Sequence, residues 1–208
     1  VPYFYSIAYI PGNVAAVCGK GDLLKTLAFG SLKGGAGKST SSVNIAHYFA
    51  TRNKKVLLID MDNQGHDTEL LGLPENNALY DLLVRQRTIA DLAVNARPNL
   101  DVIGNSKDGA DIEDYVSKQN DRHLLLRREL DKVKKKYDVV IIDTAPSIFK
   151  TNIVGISASD YFIAPSPMDY LNLKGVNDIL GIIRDLESLG VPVPVVMGVL
   201  PTKFERVT

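Results

Sequence analysis

The sequence predicts an α/β protein, a three-layer sandwich with a mostly parallel central sheet, and three observations predict it. Short apolar runs alternate with stretches of helical spacing along the whole chain. Several of those runs are continuously apolar rather than alternating, as strands buried on both faces are. A glycine-rich run, Lys33-Gly34-Gly35-Ala36-Gly37-Lys38-Ser39-Thr40, joins the first strand to the first helix. In open sheets of this kind, ligands sit in the crevice at the carboxyl ends of the strands.

Residues 1–24 are expected to form an N-terminal extension or arm. Val1 to Ile10 is aromatic and apolar, and Pro11-Gly12-Asn13 breaks it. It reads as an edge strand packed on the domain or as a docking segment for a second subunit. Without a basic leader, it does not read as a secretory signal. Strands are expected at Thr26–Phe29, Lys55–Asp60, Leu100–Ile103, Asp138–Asp143, Tyr161–Pro165 and Val193–Leu200. In the helix after the glycine loop, Val43, Ala46 and Ala50 share one face, with Ile45 and Phe49 beside it. In the helix opened by Asp121, Leu126, Leu130 and Val133 line up. The helix after Asn172 carries Val176, Ile179, Leu180 and Ile183 and stops at Gly190 before Pro192.

Composition narrows the class. The 208 residues suit one domain with a substantial core, and 45% hydrophobic with 23% charged residues indicates a globular chain. Lys plus Arg equals Asp plus Glu at 24 each, which excludes a strongly basic chain but not a local basic face. The single cysteine, Cys18, fits a reducing cytoplasm. No apolar run approaches the roughly 18 residues that would span a bilayer.

The glycine run carries chemistry. Glycines let backbone N–H groups approach a phosphate, Lys38 brings charge to the outer phosphates, and Ser39 offers a hydroxyl to magnesium. The common pattern G-x-x-x-x-G-K-[ST] fails at its first position, where Leu32 stands, and a second lysine, Lys33, precedes the glycine pair. Two strands end in aspartate. Val139-Val140-Ile141-Ile142-Asp143 presents the carboxylate that holds magnesium in such sites, or one that caps the following turn. In Val56-Leu57-Leu58-Ile59-Asp60-Met61-Asp62, a spacing of two puts both carboxylates on one side of an extended strand. Like charges that close call for a cation between them, unless the strand end is simply solvated.

Together these motifs resemble the ParA/MinD family of deviant Walker-type P-loop ATPases. The family loop K-G-G-x-G-K-[ST] is matched by Lys33 to Ser39. Its D-x-D-P-Q-G motif is matched by Asp60, Asp62, Gln64 and Gly65, with Asn63 in place of proline, which implies a looser turn. The third motif is matched by Asp143 and the following Thr144-Ala145-Pro146-Ser147. The resemblance covers residues 25–208, read as a P-loop ATPase domain short of its C-terminal part. It implies ATP and Mg2+ as cofactors, with Gly34, Gly35, Ala36, Gly37, Lys38, Ser39 and Thr40 on the nucleotide. Ser39, Asp60 and Asp143 would serve the metal, and Asp62 would orient or activate the attacking water. Lys33 would reach the phosphates of a nucleotide held by a second subunit, making a homodimer with two sandwiched ATP molecules. Adenine contacts are implied near Pro165–Asp169 and Pro201–Lys203.

Within the superfamily, iron–sulfur carriers need thiolates that one early cysteine does not supply. Tyrosine kinases of this fold carry a C-terminal tyrosine cluster absent here. The Gln64-Gly65 pair and the run Met168 to Gly175 look more like ParA than MinD. The implied function is therefore an ATPase switch for plasmid or chromosome segregation, cytoplasmic and nucleoid-associated when ATP-bound. Expected partners are non-specific DNA and a centromere-binding adaptor, with a membrane not expected. The alternatives are a MinD-like membrane-associated positioning ATPase and a ParA-like ATPase for a non-DNA cargo. Arg127, Arg128, Lys132, Lys134, Lys135 and Lys136 form either a solvated helix face or a DNA contact.

Overall fold

A computed structural model describes residues 24–106, 111–147, 150–168 and 170–203. All but Leu24 of the expected N-terminal arm lies outside these residues, as do Asp169 and the tail from Phe204. Seven strands form one sheet: β1 Lys25–Phe29, β2 Val56–Asp60, β3 Val94–Arg97, β4 Leu100–Ile103, β5 Val139–Asp143, β6 Tyr161–Pro167 and β7 Val195–Thr202. Their order is β3-β4-β2-β5-β1-β6-β7, and every neighbouring pair is parallel except β3 with β4. The helices are α1 Lys38–Ala50, α2 His66–Leu71, α3 Ala78–Leu83, α4 Ile89–Leu92, α5 Asp111–Lys118, α6 Leu125–Val133, α7 Lys150–Ser157 and α8 Tyr170–Ser188.

The period of two along each central strand sorts its apolar residues to two cores. Leu27, Phe29, Val56, Leu58, Val139 and Ile141 join Ile45, Ala46, Phe49 and Ala50 of α1 on one face. Ala28, Leu57, Ile59, Val140 and Ile142 join Leu126, Leu130, Val154, Val176, Ile179 and Ile183 on the other. Every residue of β2 and β5 is buried. The sheet with helices on both faces is the expected three-layer α/β sandwich of P-loop type.

Three details differ from expectation. β3 is a polar, largely exposed edge strand, folded against β4 through a turn in which Asn99 takes a positive φ of 65°. On α1 the fully packed stripe includes Ser42, while Val43 is half-buried at the rim of the core. β6 runs two residues further, to Pro167. Pro165 and Pro167 lie past the last pairing with β1, Phe29 with Ile163, so their missing N–H groups cost that partner no bond. No helix among the described residues is long and apolar enough to cross a membrane.

Candidate functional site

The register of the sheet gathers the site. In the parallel pairing of β2 with β5, Asp60 lies opposite Asp143, so both strands deliver a carboxylate at the same height. In the pairing of β1 with β5, Phe29 is opposite Asp143, which starts the glycine loop beside the acids. The Phe29 carbonyl accepts both the Thr144 N–H at 3.0 Å and the Thr144 hydroxyl at 2.9 Å. Those two bonds tie the start of the loop to the end of β5.

The loop itself turns on Gly35 and Gly37, whose φ angles of 70° and 84° lie in the left-handed region. Gly37 caps α1, and the Ser41 N–H returns to its carbonyl at 2.9 Å. The unpaired N–H groups of the first turn of α1 therefore face the cleft, a natural seat for a phosphate. Lys38 is buried, and that burial lowers the pKa of its ammonium, opposed by Asp143 and Asp62. The Ser39 hydroxyl donates to Asp143 Oδ2 at 2.6 Å. Gly34 to Thr40, Asp62, Gln64, Pro146 and Lys203 help to line a cleft of about 900 Å³. Its size is that of pockets that enclose small ligands.

Asp60 and Asp62 do different work. Both oxygens of Asp60 accept backbone N–H groups, from Asp62 at 2.9 Å and from Asp67 at 3.1 Å, so this carboxyl braces the turn. Asp62 opens to the cleft and accepts the Gln64 N–H at 3.0 Å. Gly65 closes the turn onto the Asp62 carbonyl at 3.1 Å, with a positive φ of 66°. These bonds hold the turn that Asn63, in place of proline, was expected to loosen.

Lys33 stands apart from the cleft formed by its own loop. Its aliphatic stem passes 3.7 Å from the position a β-carbon on Gly175 of α8 would take. Lys33 is not among the residues lining the cleft.

Asp67 and His66 carry no motif signal, whereas Lys203 falls in the Pro201–Lys203 stretch expected near the nucleotide. Asp67, on α2, brings a third carboxyl to Asp60 and Asp143, and one oxygen from each lies within 4.8 Å of the others. Burial raises the Asp67 and Asp60 pKa values well above the usual range, with repulsion from Asp143 next. Burial pushes Asp143 up to about 7, against the pull of the Ser39 hydroxyl and Lys38. An acid in the first turn of a helix reads as ordinary dipole compensation, which hid Asp67. His66 lies 4.0 Å from the Asp62 carboxylate. Lys203 holds a left-handed φ of 53° and sets its ammonium 3.7 Å from the β-carbon position of Gly35. The adjoining Thr202 hydroxyl donates to the Ala36 carbonyl at 2.8 Å.

The acids and the Ser39 hydroxyl are hard oxygen donors, the set that suits magnesium. Asp67 Oδ1 and Oδ2 and Asp143 Oδ1 are buried and receive no donor from other residues, and the two carboxyls face each other, so the pair can hold a proton or a cation. The basic residues considered for DNA contact are mostly paired. Arg127 meets Asp160 at 3.3 Å, Arg128 meets Asp121 at 2.6 Å, Lys132 meets Glu129 at 2.6 Å and Lys136 meets Asp101 at 3.5 Å.

A parallel sheet, a glycine loop capping the first helix and acids at two neighbouring strand ends define a P-loop nucleotide-binding protein. A sequence profile described as an AAA domain matches residues 24–190. The chain belongs to the ParA/MinD family of P-loop ATPases and within it is most like ParA. It is 36% identical over 167 residues to the chromosome-partitioning ATPase Soj of Treponema pallidum, covering 79% of this chain and 65% of Soj. It is 30% identical over 189 residues to the chromosome partitioning protein ParA of Caulobacter vibrioides, covering 88% of this chain and 71% of ParA. Among solved structures, a putative plasmid partition protein of Borrelia burgdorferi bound to AMPPNP superposes with a TM-score of 0.77 at 28% identity, covering 88% of this chain and 76% of that one. Cobyrinic acid a,c-diamide synthase of Mycobacterium smegmatis, with a bound ATP analogue and magnesium, gives 0.83 at 28% identity, covering 89% and 77%. The chain spans about 65% of the length of the Soj relatives.

Proposed function

We propose that this chain is the ATPase core of a ParA-type partition switch, which hydrolyses ATP to ADP and phosphate as a dimer with two shared nucleotides. The N–H groups at the start of α1 and the Lys38 ammonium would hold the outer phosphates. Ser39 and Asp143, with Asp60 behind them, would hold magnesium, which when bound neutralises charge on the phosphates. Thr40 would add a contact to the inner phosphate. Asp62 would orient the attacking water and draw its proton, since it is the acid of the turn that lines the cleft.

The observation that carries the dimeric reading is the position of Lys33. A loop lysine that turns its stem to Gly175 rather than lining its own cleft is available to a second copy. A cation inserted from a partner stabilises the transferring phosphoryl group, so that dimerisation and turnover depend on each other. The test is Lys33→Ala, followed by light scattering and phosphate release in parallel. ATP-dependent dimerisation or turnover should be abolished; wild-type ATPase activity from a monomeric variant would refute the reading.

Partition also requires a cargo. The relatives named for chromosome and plasmid partition support non-specific duplex DNA and an adaptor protein as partners, in the cytoplasm and on the nucleoid. Binding to duplex DNA only with ATP, weakened steeply by salt through counterion release, is the expected result. ATP-dependent binding to anionic liposomes without DNA binding would instead support a membrane-positioning ATPase.

A further inference from the structure

Asp67 is the buried acid that the hydrolytic scheme does not use. Its side chain is inaccessible to solvent, and neither of its oxygens receives an N–H or O–H from a neighbouring residue; it faces the Asp143 carboxyl, with which it can share a proton or a cation. Asp143 Oδ1 is buried and unpartnered in the same way, because the Ser39 hydroxyl engages only Oδ2. The third member, Asp60, is fixed by the Asp62 and Asp67 N–H groups, which leaves each of its oxygens one further lone pair. One oxygen of each acid falls within a span of 4.8 Å. Oxygens on opposite sides of a calcium-sized ion stand about 4.6–5.2 Å apart, and around magnesium about 4.1 Å. The cluster therefore has the dimensions of a small coordination shell.

Its charge points the same way. The groups facing Asp143 are Lys38, Asp60, Asp62 and Asp67, one cation against further acids. Carboxyls removed from water at this density either hold protons or take a compensating cation, and a cation that binds there displaces the protons. Asp67 is also oriented by the fold rather than by chance, since its own N–H is bonded to Asp60. We propose that Asp60, Asp67 and Asp143 form a divalent-cation site that fills in the absence of nucleotide, with Asp67 as the residue that creates it. The site shares Asp60 and Asp143 with the magnesium ion that would arrive with ATP, and differs from it in using Asp67 where that ion needs the Ser39 hydroxyl and the phosphates. Filling it fixes the start of α2 against β5 and so steadies the turn that carries Asp62.

The test uses the full chain, stripped with a chelator, and Mn2+ alone as the probe. Free Mn2+ is counted by electron paramagnetic resonance during a titration without nucleotide. Wild type should bind one ion per chain, and Mg2+ or Ca2+ should displace it. Asp67→Asn should weaken binding by about tenfold or more, and Ser39→Ala should leave it within about twofold. Thermal unfolding provides a second reading: Mn2+ should raise the wild-type midpoint and leave that of Asp67→Asn unmoved. Absence of Mn2+ binding to nucleotide-free wild type overturns the proposal, whether or not the variants fold. Equal binding by Asp67→Asn overturns it too, and so does loss through Ser39→Ala. Phosphate release measured on the same preparation separates this outcome from the ATPase reading, because either can fail while the other stands.

Discussion

Raising the pH of the metal-free chain from about 5 to about 8 should destabilise it, contrary to the usual behaviour of carboxylates that are salt-bridged in the native state. Asp143 is held at about 7 against an ordinary 3.8, and burial pushes Asp60 and Asp67 in the same direction. A raised native value means that the folded chain binds the proton more tightly than the unfolded one. Its stabilising effect is complete below about pH 4 and is lost as the pH climbs through about 7. Within this range the effect acts from pH 5 to about 7, and two pH units at about 1.4 kcal/mol each give roughly 3 kcal/mol as a ceiling for Asp143. For a domain of this size, about 1 kcal/mol moves the midpoint by roughly 2–4 °C, so a fall on the order of 10 °C is expected. The assay is differential scanning calorimetry in EDTA across the series, with Asp67→Asn alongside. That variant removes one buried charge without changing shape and should flatten the decline. A wild-type midpoint that stays level or rises between these limits would refute the electrostatic reasoning. So would an Asp67→Asn curve parallel to wild type.

Two further predictions concern the turn and the packing behind it. Asp62→Ala should bind ATP about as well as wild type, measured by titration calorimetry, while phosphate release slows by about a hundredfold or more, as loss of a general base does. Failure to bind ATP would mean that Asp62 serves the metal rather than the water. Gly155→Ala places a β-carbon against Met61 Sδ and 3.1 Å from Ile142 Cγ2 in the interior of α7. It should cost about 1–3 kcal/mol in urea unfolding, as overpacking does, and Met61→Ala in the same chain should recover part of that.

The inner strands were legible because burial on both faces leaves a nearly continuous apolar run; β7 carries such a run too, although as an edge strand it is largely exposed. β3 carries none: Val94-Asn95-Ala96-Arg97 is mostly exposed, and its place beside β4 comes from a turn through Asn99. Of the short helices, α5 carries an amphipathic period through the buried Ile112 and Val116, while α2 to α4 are too short to show one. At the site, Lys33 to Thr40, Asp60, Asp62 and Asp143 could be named because each lies at a strand end or in a loop of fixed spacing. Asp67 could not, since only the folded chain shows that its carboxyl turns inward to Asp143. The reach of Thr202 to Ala36 joins residues 166 apart and has no linear trace. The pairing of Arg127 with Asp160 is tertiary as well, and it separates a solvated helix face from a free basic patch.

The complete burial of β2 and β5 has a consequence for how such a protein can diversify. A strand with no solvent face has no position at which a polar or bulky residue can be tried without disturbing a helix layer on one side or the other. Along Val139 to Ile142, and along Val56 to Ile59, the sheet works as a rack whose rungs are fixed. New chemistry can be hung only where the rack stops, at the Asp143 and Asp60 rim and in the short segments that follow. Ligand contacts and ion preference are thus open to change over a few residues, while the frame that sets their distances stays the same.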